Sequence, residues 1–526
     1  MTDPTRAFRT LQDIVREHSL RSPASPALQF EQRTTTWAEW DHRSSQLANA
    51  LIADGLQPGG RVGYLGKNSD QFFQVFFGAA KAAMVTVPLN WRLAVPEIAF
   101  ILGDAQCEIL FVGADYAGLV DALREACPRI RRVVGVDGAA AGVQALDAWL
   151  KDQPGSDPRT PAREDDTVLQ LYTSGTTGLP KGAQLTHGNL LFAAGLGATQ
   201  DLGCWRSDDV SVLPLPLFHA GGLVYGLNGP YAGCLTVVLR EASPALILAA
   251  LRNAPTPVTR LGVVPAVLQM MLDHPEFDGA HFRGMRTMTY GGSPITPAVL
   301  RRALDAIGPV LLQLFGMTET ATIGTMLAPA DHDPAQPARL ASCGRPLPGV
   351  EVRVVRLDGE PAGAGESGEI LIRCPSVMKG YWMRPDASTE ALRDGWYHTG
   401  DVGYLDAQGY LSIQDRLKDM IVSGGENVYP AEVERALAEH PAVADVAVFG
   451  VPDAKWGEAV KAVVVLRSGQ AATADALMDF ARNRIAGYKC PKSVDFIDVL
   501  PRNASGKLLK RVLREPYWAG QARQVG

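Results

Sequence analysis

No stretch of this 526-residue chain approaches the apolar length needed to span a bilayer, and Met1 to Leu20 has no apolar segment of the secretory kind. A transmembrane span and a signal peptide are therefore not expected, nor is a peroxisomal or retention signal in the tail Arg523 to Gly526. Cysteines are few and solitary. There are seven, an odd number, without a C-x-x-C pair, which argues against a zinc site or a disulfide framework and fits small buried thiols in a reducing compartment. A surplus of positive charge is also missing. With 50 Lys and Arg against 56 Asp and Glu, the formal net charge of −6 offers no broad attraction to nucleic acid or anionic lipid. A small-molecule substrate and a cytoplasmic setting are the expectation.

What is present is ordinary globular composition, 46% hydrophobic and 20% charged, in a chain too long for one core. Between residues 60 and 130 short apolar runs alternate with helical patterns: Val62 to Leu65 then Phe72 to Ala83, Val85 to Leu89 then Pro96 to Leu102, Ile109 to Val112 then Leu119 to Ala126. Such alternation predicts βαβ units winding a parallel sheet. The pattern resumes at Val168, after a polar stretch, Asp152 to Asp166, that reads as a surface loop. From about Gly344 the texture becomes Pro/Gly-punctuated β segments, among them Gly349 to Val355 and Glu369 to Ile372, which suggest a small β subdomain. After Asp415-Arg416-Leu417-Lys418 comes a compact α+β pattern: a helix from Pro430 through Leu437, strands at Val446 to Val451 and Val463 to Leu466, and a helix over Ala474 to Ile485. The expected boundary divides 1–417 from 418–526.

The most informative segment is Thr173-Ser174-Gly175-Thr176-Thr177-Gly178-Leu179-Pro180-Lys181-Gly182. Small residues let successive backbone N–H groups turn toward one anion, hydroxyls flank them, and Lys181 supplies fixed positive charge. It is not a Walker A loop. That motif needs Gly before the lysine and Ser or Thr after it, whereas here Pro180 and Gly182 hold those positions. With Thr186 as N-cap of a helix starting near His187, the loop is expected between a strand end and a helix start, where open α/β sheets bind ligands.

Further segments carry chemistry: Pro216 to Gly222 around His219, the glycine turn Tyr290-Gly291-Gly292-Ser293, and Gln313-Leu314-Phe315-Gly316-Met317-Thr318-Glu319-Thr320. Downstream lie Trp396 to Asp401, Asp415 to Asp419, Gly424 to Asn427, and Pro501-Arg502-Asn503-Ala504-Ser505-Gly506-Lys507. Taken together these motifs resemble the adenylate-forming superfamily and, within it, the AMP-forming acyl-CoA synthetases, over roughly Leu11 to Arg514. The resemblance implies a large N-terminal domain of two α/β subdomains plus a β-barrel-like subdomain, with a small mobile α+β C-terminal lid.

It also implies roles. Thr173, Ser174, Gly175, Thr176, Thr177, Gly178 and Lys181 would hold the β and γ phosphates of ATP, and Thr176 and Glu319 would hold Mg2+. Phe315 would stack on adenine with Ser293, Gln313 and Thr318 beside it. Asp401 would bind the ribose hydroxyls, and Arg416 would meet ribose or phosphate. Lys507 would bridge the α-phosphate and the attacking carboxylate. His219, Gly221, Tyr225, Val264, Tyr290, Gly292, Leu314, Met317 and Ile323 would line the acyl pocket, with His219 next to the reacting group. Lys418 stands at the hinge of the lid, whose rotation would bring Gly424 and Gly425 to the pantetheine tunnel of CoA.

Departures from the pattern narrow the substrate. Leu314-Phe315 replaces the more usual Gly-Tyr, keeping a stacking face while adding bulk, and Val422 stands where plant-type hydroxycinnamate ligases have lysine. No carboxylate after His219 could anchor a substrate ammonium, and the lining is apolar or aromatic, so an uncharged acyl group is expected: a medium-chain fatty acid or a compact aromatic acid. The expected partners are that acid, ATP and CoA, with no nucleic acid; a homodimer stays open. Two other readings stand beside this one: an acyl-AMP ligase loading a separate carrier protein, and a non-catalytic nucleotide sensor. His219 could also be a core histidine, and Tyr381 and Trp382 read as packing at the subdomain edge.

Overall fold

The computed structural model describes residues 8–138, 142–173, 179–199, 202–254, 256–356, 358–423, 426–502 and 508–519. The chain forms two compact units, Met1–Val352 with Ile372–Tyr397, and Arg353–Leu371 with His398–Gly526. Among the described residues no helix is long and apolar enough to cross a membrane.

The first unit carries two large sheets. One runs in the order Gly380–Tyr381, Lys181–Thr186, Thr167–Thr173, Val85–Leu89, Arg61–Leu65, Cys107–Gly113, Arg132–Val136 and Gln144–Ala145. Its members from Val85–Leu89 to Gln144–Ala145 pair in parallel, as the alternating pattern predicts. The other sheet runs Arg345–Pro346, Thr325–Leu327, Leu311–Phe315, Thr287–Gly291, Arg260–Val263, Val210–Leu213, Leu235–Val238, Pro26–Phe30 and Arg33–Thr36. The helix Asp70–Lys81 packs against a strand of each sheet, Val85–Leu89 and Pro26–Phe30. That position explains its sequence. Phe72, Phe73, Val75, Phe76 and Phe77 are all buried, and so are Asp70, Gln74 and Lys81, so the helix is buried on nearly every side, as one between two layers must be.

One expectation is corrected here. The phosphate loop does not run from a strand into a helix, because Lys181–Thr186 is itself a strand, antiparallel to Thr167–Thr173. Gly182, Ala183, Leu185 and Thr186 are all buried, so this short strand shows no alternation that the sequence could reveal. Thr186 does cap the helix His187–Leu196, accepting a hydrogen bond from the Asn189 N–H, but the helix begins one strand after the loop. The segment thus connects two antiparallel strands.

The second unit contains the sheet Glu426–Val428, Ile421–Ser423, Gly457–Leu466 and Val443–Asp453, with Ser493–Phe496 paired to Gly457–Leu466. The helices Pro430–Ala438 and Ala474–Arg482 share its core through Val433, Leu437, Leu477 and Ala481. The expected β subdomain is a four-stranded sheet in the order Glu351–Val355, Gly368–Arg373, Tyr397–Leu405 and Leu411–Arg416. Among the described residues it is an open sheet, not a closed barrel. Its strands contain the points at which the chain passes between the two units.

Candidate active site

In the first unit the base of the glycine-threonine hairpin is formed by Thr173 opposite Lys181, with the Thr173 hydroxyl donating to the Lys181 carbonyl at 3.5 Å. Ser174, Gly175, Thr176, Thr177 and Gly178 lie outside the described residues. Lys181 is half-buried and its ammonium sits 5.3 Å from the centroid of the Tyr381 ring. Tyr381 reaches this place because Gly380–Tyr381 adds antiparallel to Lys181–Thr186, with Tyr381 opposite Ala183. Lys181, two residues from Ala183, therefore shares the Tyr381 face.

The Tyr381 hydroxyl donates to Glu319 Oε1 at 2.8 Å. Glu319 is buried, in the short 3₁₀ turn Thr318–Thr320 that follows the strand Leu311–Phe315. Its backbone carbonyl accepts from the Met378 N–H at 2.7 Å. The chain leaves this turn through two consecutive left-handed residues, Ala321 at φ 47° and Thr322 at φ 65°. A β-branched residue in that region is a strained conformation, of the kind that clusters at functional sites. Gly316 makes the loop fit, since a Cβ there would lie 2.2 Å from the Thr322 carbonyl.

The carboxyl ends of the parallel strands in the second sheet bring the other predicted residues together. The chain lays Leu235–Val238 on one side of Val210–Leu213 and returns with Arg260–Val263 on the other, which makes this a topological switch point. His219 lies in the segment leaving Val210–Leu213, at the N-cap of the helix Ala220–Ala232, with its ring 4.6 Å from Phe218. It is exposed, so the core-histidine alternative does not hold. Gly221 is also exposed. Tyr225, one turn on, is buried between that helix and Gly262, where a Cβ would strike its ring at 2.9 Å, and its hydroxyl pairs with Ser211 at 3.4 Å. Val264 precedes the helix Pro265–Leu272 and faces Gly292.

Tyr290 and Gln313 stand opposite each other on the parallel strands Thr287–Gly291 and Leu311–Phe315, as do Gly291 and Leu314. The exposed Ser293 and the half-buried Phe315 follow at the ends of these strands. Met317 and Thr318 are half-buried and Ile323 is buried beside the Glu319 turn. One residue that sequence reasoning missed belongs here. His332, buried, receives the Tyr290 hydroxyl at Nε2, 2.9 Å away, and its Nδ1 donates to the Ala328 carbonyl at 2.8 Å. Burial lowers its pKa, which favours the neutral ring. Nothing in its Asp-His-Asp context distinguishes it from a surface turn.

In the second unit Asp401 and Arg416 are cross-strand neighbours, and Arg416 Nε lies 2.7 Å from Asp401 Oδ1. Asp401 is buried and Arg416 exposed. Lys418 follows in the 3₁₀ turn Leu417–Asp419, where burial pulls its pKa down to about 8 against the pull of Asp419. Gly424, Gly425 and Lys507 lie outside the described residues. Arg502 and Leu508 form a bridge across residues 503–507, and Arg502 reaches Asp445 at 2.6 Å. Lys510 is half-buried and pairs with Glu434 at 2.8 Å. Burial raises the Glu434 and Asp415 carboxyls, and those two charges outweigh the burial of Lys510 and raise its pKa.

For a divalent cation the described residues offer no cluster of three His, Cys, Asp or Glu. Glu319 alone still fits Mg2+, which commonly binds through one or two carboxylates plus substrate phosphates. One Glu319 oxygen is fixed by Tyr381, while the other has no hydrogen bond among the described residues.

Comparison with known proteins shows the family. The family model described as AMP-binding enzyme matches residues 15–382, and that of the AMP-binding enzyme C-terminal domain matches 432–507. A fatty acid–[acyl-carrier-protein] ligase, ScoC of Streptomyces coeruleorubidus, is 39% identical over 98% of both chains. A feruloyl-CoA synthase of an Amycolatopsis species is 41% identical over 94% of this chain and 96% of its own. Among solved structures, ATP-bound MatB of Rhodopseudomonas palustris superposes with a TM-score of 0.86 at 30% identity, covering 97% of this chain and 99% of that one. The chain belongs to the AMP-binding enzyme family.

Proposed function

We propose that this protein is an ATP- and Mg2+-dependent carboxylate–CoA ligase. A carboxylate is a poor electrophile because it lacks an adequate leaving group. In the proposed first step a carboxylate oxygen attacks the α-phosphorus of ATP, forming an acyl–AMP anhydride as the bond to pyrophosphate breaks. In the second step the CoA thiol attacks the acyl carbon, a thioester forms, AMP leaves and the thiol proton passes to solvent. The protein's part is to position the reactants and neutralise charge.

Lys181 and the hairpin from Thr173 to Gly178 would take the β and γ phosphates. Glu319 and Thr176 would hold Mg2+, which offsets phosphate charge. Phe315, Ser293, Gln313 and Thr318 would receive adenine, and Asp401 with Arg416 the ribose. Lys507 would bring carboxylate and α-phosphate together, and the lid from residue 418 onward would rotate about Lys418 between steps, carrying Lys507 out and Gly424-Gly425 in. The acyl group would lie among His219, Gly221, Tyr225, Val264, Tyr290, Gly292, Leu314, Met317 and Ile323. Their apolar character favours a medium-chain fatty acid or a compact aromatic acid. A cytoplasmic location completes the reading.

The observation that carries it is the convergence of Lys181, Tyr381 and Glu319 beside the glycine-threonine segment, in a chain of this family. A second reading, transfer to a carrier protein in place of CoA, draws support from the likeness to ScoC along the whole chain. The test is AMP release over short, medium and long fatty acids plus benzoic and cinnamic acids, with CoA or a carrier protein as acceptor. CoA-dependent release with a medium-chain or aromatic acid is expected. Absence of acid-dependent pyrophosphate exchange into ATP overturns both readings.

A further inference from the structure

We infer that Tyr381 is a positioning residue for the metal-binding carboxylate, and that the segment from Gly380 to Arg384 is built to hold it there; the inference rests on the reading of Glu319 as a ligand of Mg2+.

The strand ends at Tyr381, and the chain then turns through Trp382 and Met383, the latter at φ 50°, with the Arg384 N–H donating to the Tyr381 carbonyl. Tyr381 points to Glu319, and its hydroxyl is the side-chain partner of that carboxylate among the described residues. Trp382 and Arg384 go the other way, onto Asp104. The Trp382 indole donates to the Asp104 carbonyl at 3.0 Å, and Arg384 meets Asp104 Oδ1 at 2.5 Å. Asp104 Oδ2 in turn accepts from Tyr172, the residue before Thr173, at 2.6 Å. Arg61 covers the Trp382 ring at 3.4 Å. The backbone closes the arrangement: Met378 N–H donates to the Glu319 carbonyl, and Trp382 N–H to the Gly182 carbonyl. Glu319 is thereby tied, at main chain and side chain, to the strand that begins with Lys181.

The chemistry of the donor matters. A phenol orients a carboxylate by a hydrogen bond without cancelling its charge, whereas an arginine or lysine in the same place would compete with the cation. Tyr381 also carries the Lys181 ammonium over its ring, so one residue spaces the phosphate-binding cation from the metal-binding anion. Partners that orient metal ligands commonly matter by about 10–100-fold in metal affinity.

The test is Tyr381→Phe, which removes the hydroxyl alone. The readout is the dissociation constant of Mn2+ for the enzyme–ATP complex, taken by electron paramagnetic resonance without acid or CoA, so turnover plays no part. A weakening of about tenfold is expected, with the melting temperature unchanged. Glu319→Gln, measured alongside, should weaken Mn2+ at least as much. If Glu319→Gln weakens Mn2+ while Tyr381→Phe stays within twofold of wild type, the role of Tyr381 is overturned and that of Glu319 stands. If Glu319→Gln has no effect, the metal-ligand reading fails and the inference falls with it. Should Tyr381→Phe melt early, Tyr381→His, which keeps a ring and an N–H donor, replaces it: affinity within threefold of wild type supports the inference, and a tenfold loss overturns it.

Discussion

Each of the two units buries a carboxylate, and the two are held by opposite electrostatic means. Glu319 in the first unit is fixed by a neutral phenol, while Asp401 in the second is ion-paired with Arg416 at 2.7 Å. A carboxylate held by a neutral donor keeps its full charge for a cation. One already paired with a guanidinium presents little net charge but still offers acceptor oxygens, which suits hydroxyl groups. The contrast matches the proposed ligands, Mg2+ and phosphate on one side, ribose on the other.

The largest expected effect tests whether the second unit contributes more than ribose contacts. Lys507→Ala should lower the adenylation rate by about 10²–10³, the usual loss for one preorganised electrostatic contact. Acid-dependent pyrophosphate exchange reads it, and a rate within threefold of wild type refutes the assignment. Next come the two carboxylates as a matched pair. Neutralising Glu319 with Gln should cost about 10²-fold in adenylation and raise the Mg2+ requirement; Asp401→Asn should instead raise the KM for ATP about tenfold and leave the Mg2+ requirement alone, since hydrogen bonds to charged groups are worth about 1.5–3 kcal/mol. Equal metal dependence in both variants would erase the comparison. A smaller and more selective effect is expected from Lys418→Pro, which restrains the turn Leu417–Asp419. Thioester formation from preformed acyl-AMP should slow several-fold while pyrophosphate exchange stays near wild type, and equal loss of both would remove Lys418 as the hinge.

Much of this architecture was legible in the residues. The βαβ grammar of the first unit, the cap at Thr186, the helix from Pro430 and the presence of strands at Val446 to Val451 and Val463 to Leu466 follow from local periodicity and end signals, which is where sequence reasoning is strongest; the full length of those strands, Val443–Asp453 and Gly457–Leu466, and their antiparallel pairing do not. The phosphate loop was misplaced because Lys181–Thr186 is short and mixes Gly, Gln and Thr. Its strand character comes from the neighbours Thr167–Thr173 and Gly380–Tyr381, and the latter lies two hundred positions away. The same distance hid Tyr381. Read locally, Gly380-Tyr381-Trp382 is an aromatic turn; only its register against Ala183 turns the phenol toward Glu319. Asp401 and Arg416 could be picked out singly, but their pairing depends on a bulge-containing register between Tyr397–Leu405 and Leu411–Arg416. His332 offered no signal at all, because its meaning lies in the buried Tyr290 hydroxyl that it receives.

The smallest expected effect separates the units by pH. His187, which opens the helix after the phosphate hairpin, is buried with Nδ1 accepting from the Leu11 N–H at 3.1 Å, and burial lowers its pKa to about 4. An unfolded histidine titrates near 6.5, so between pH 6.5 and 4 the unfolded chain binds more protons than the folded one. Stability of the first unit should therefore be complete above pH 6.5 and fall as pH drops toward 4. Lys418 works in another window. Its folded pKa of about 8 lies below the ordinary lysine value, so its contribution to the second unit is complete above about pH 10.4 and is lost as pH falls toward 8. Calorimetric melts of His187→Asn, whose amide oxygen can still accept from Leu11, should show a flattened acid limb and an unchanged alkaline one, while Lys418→Met should do the reverse. If either substitution alters the other's limb, the two units do not titrate independently, and the electrostatic contrast drawn between them loses its basis.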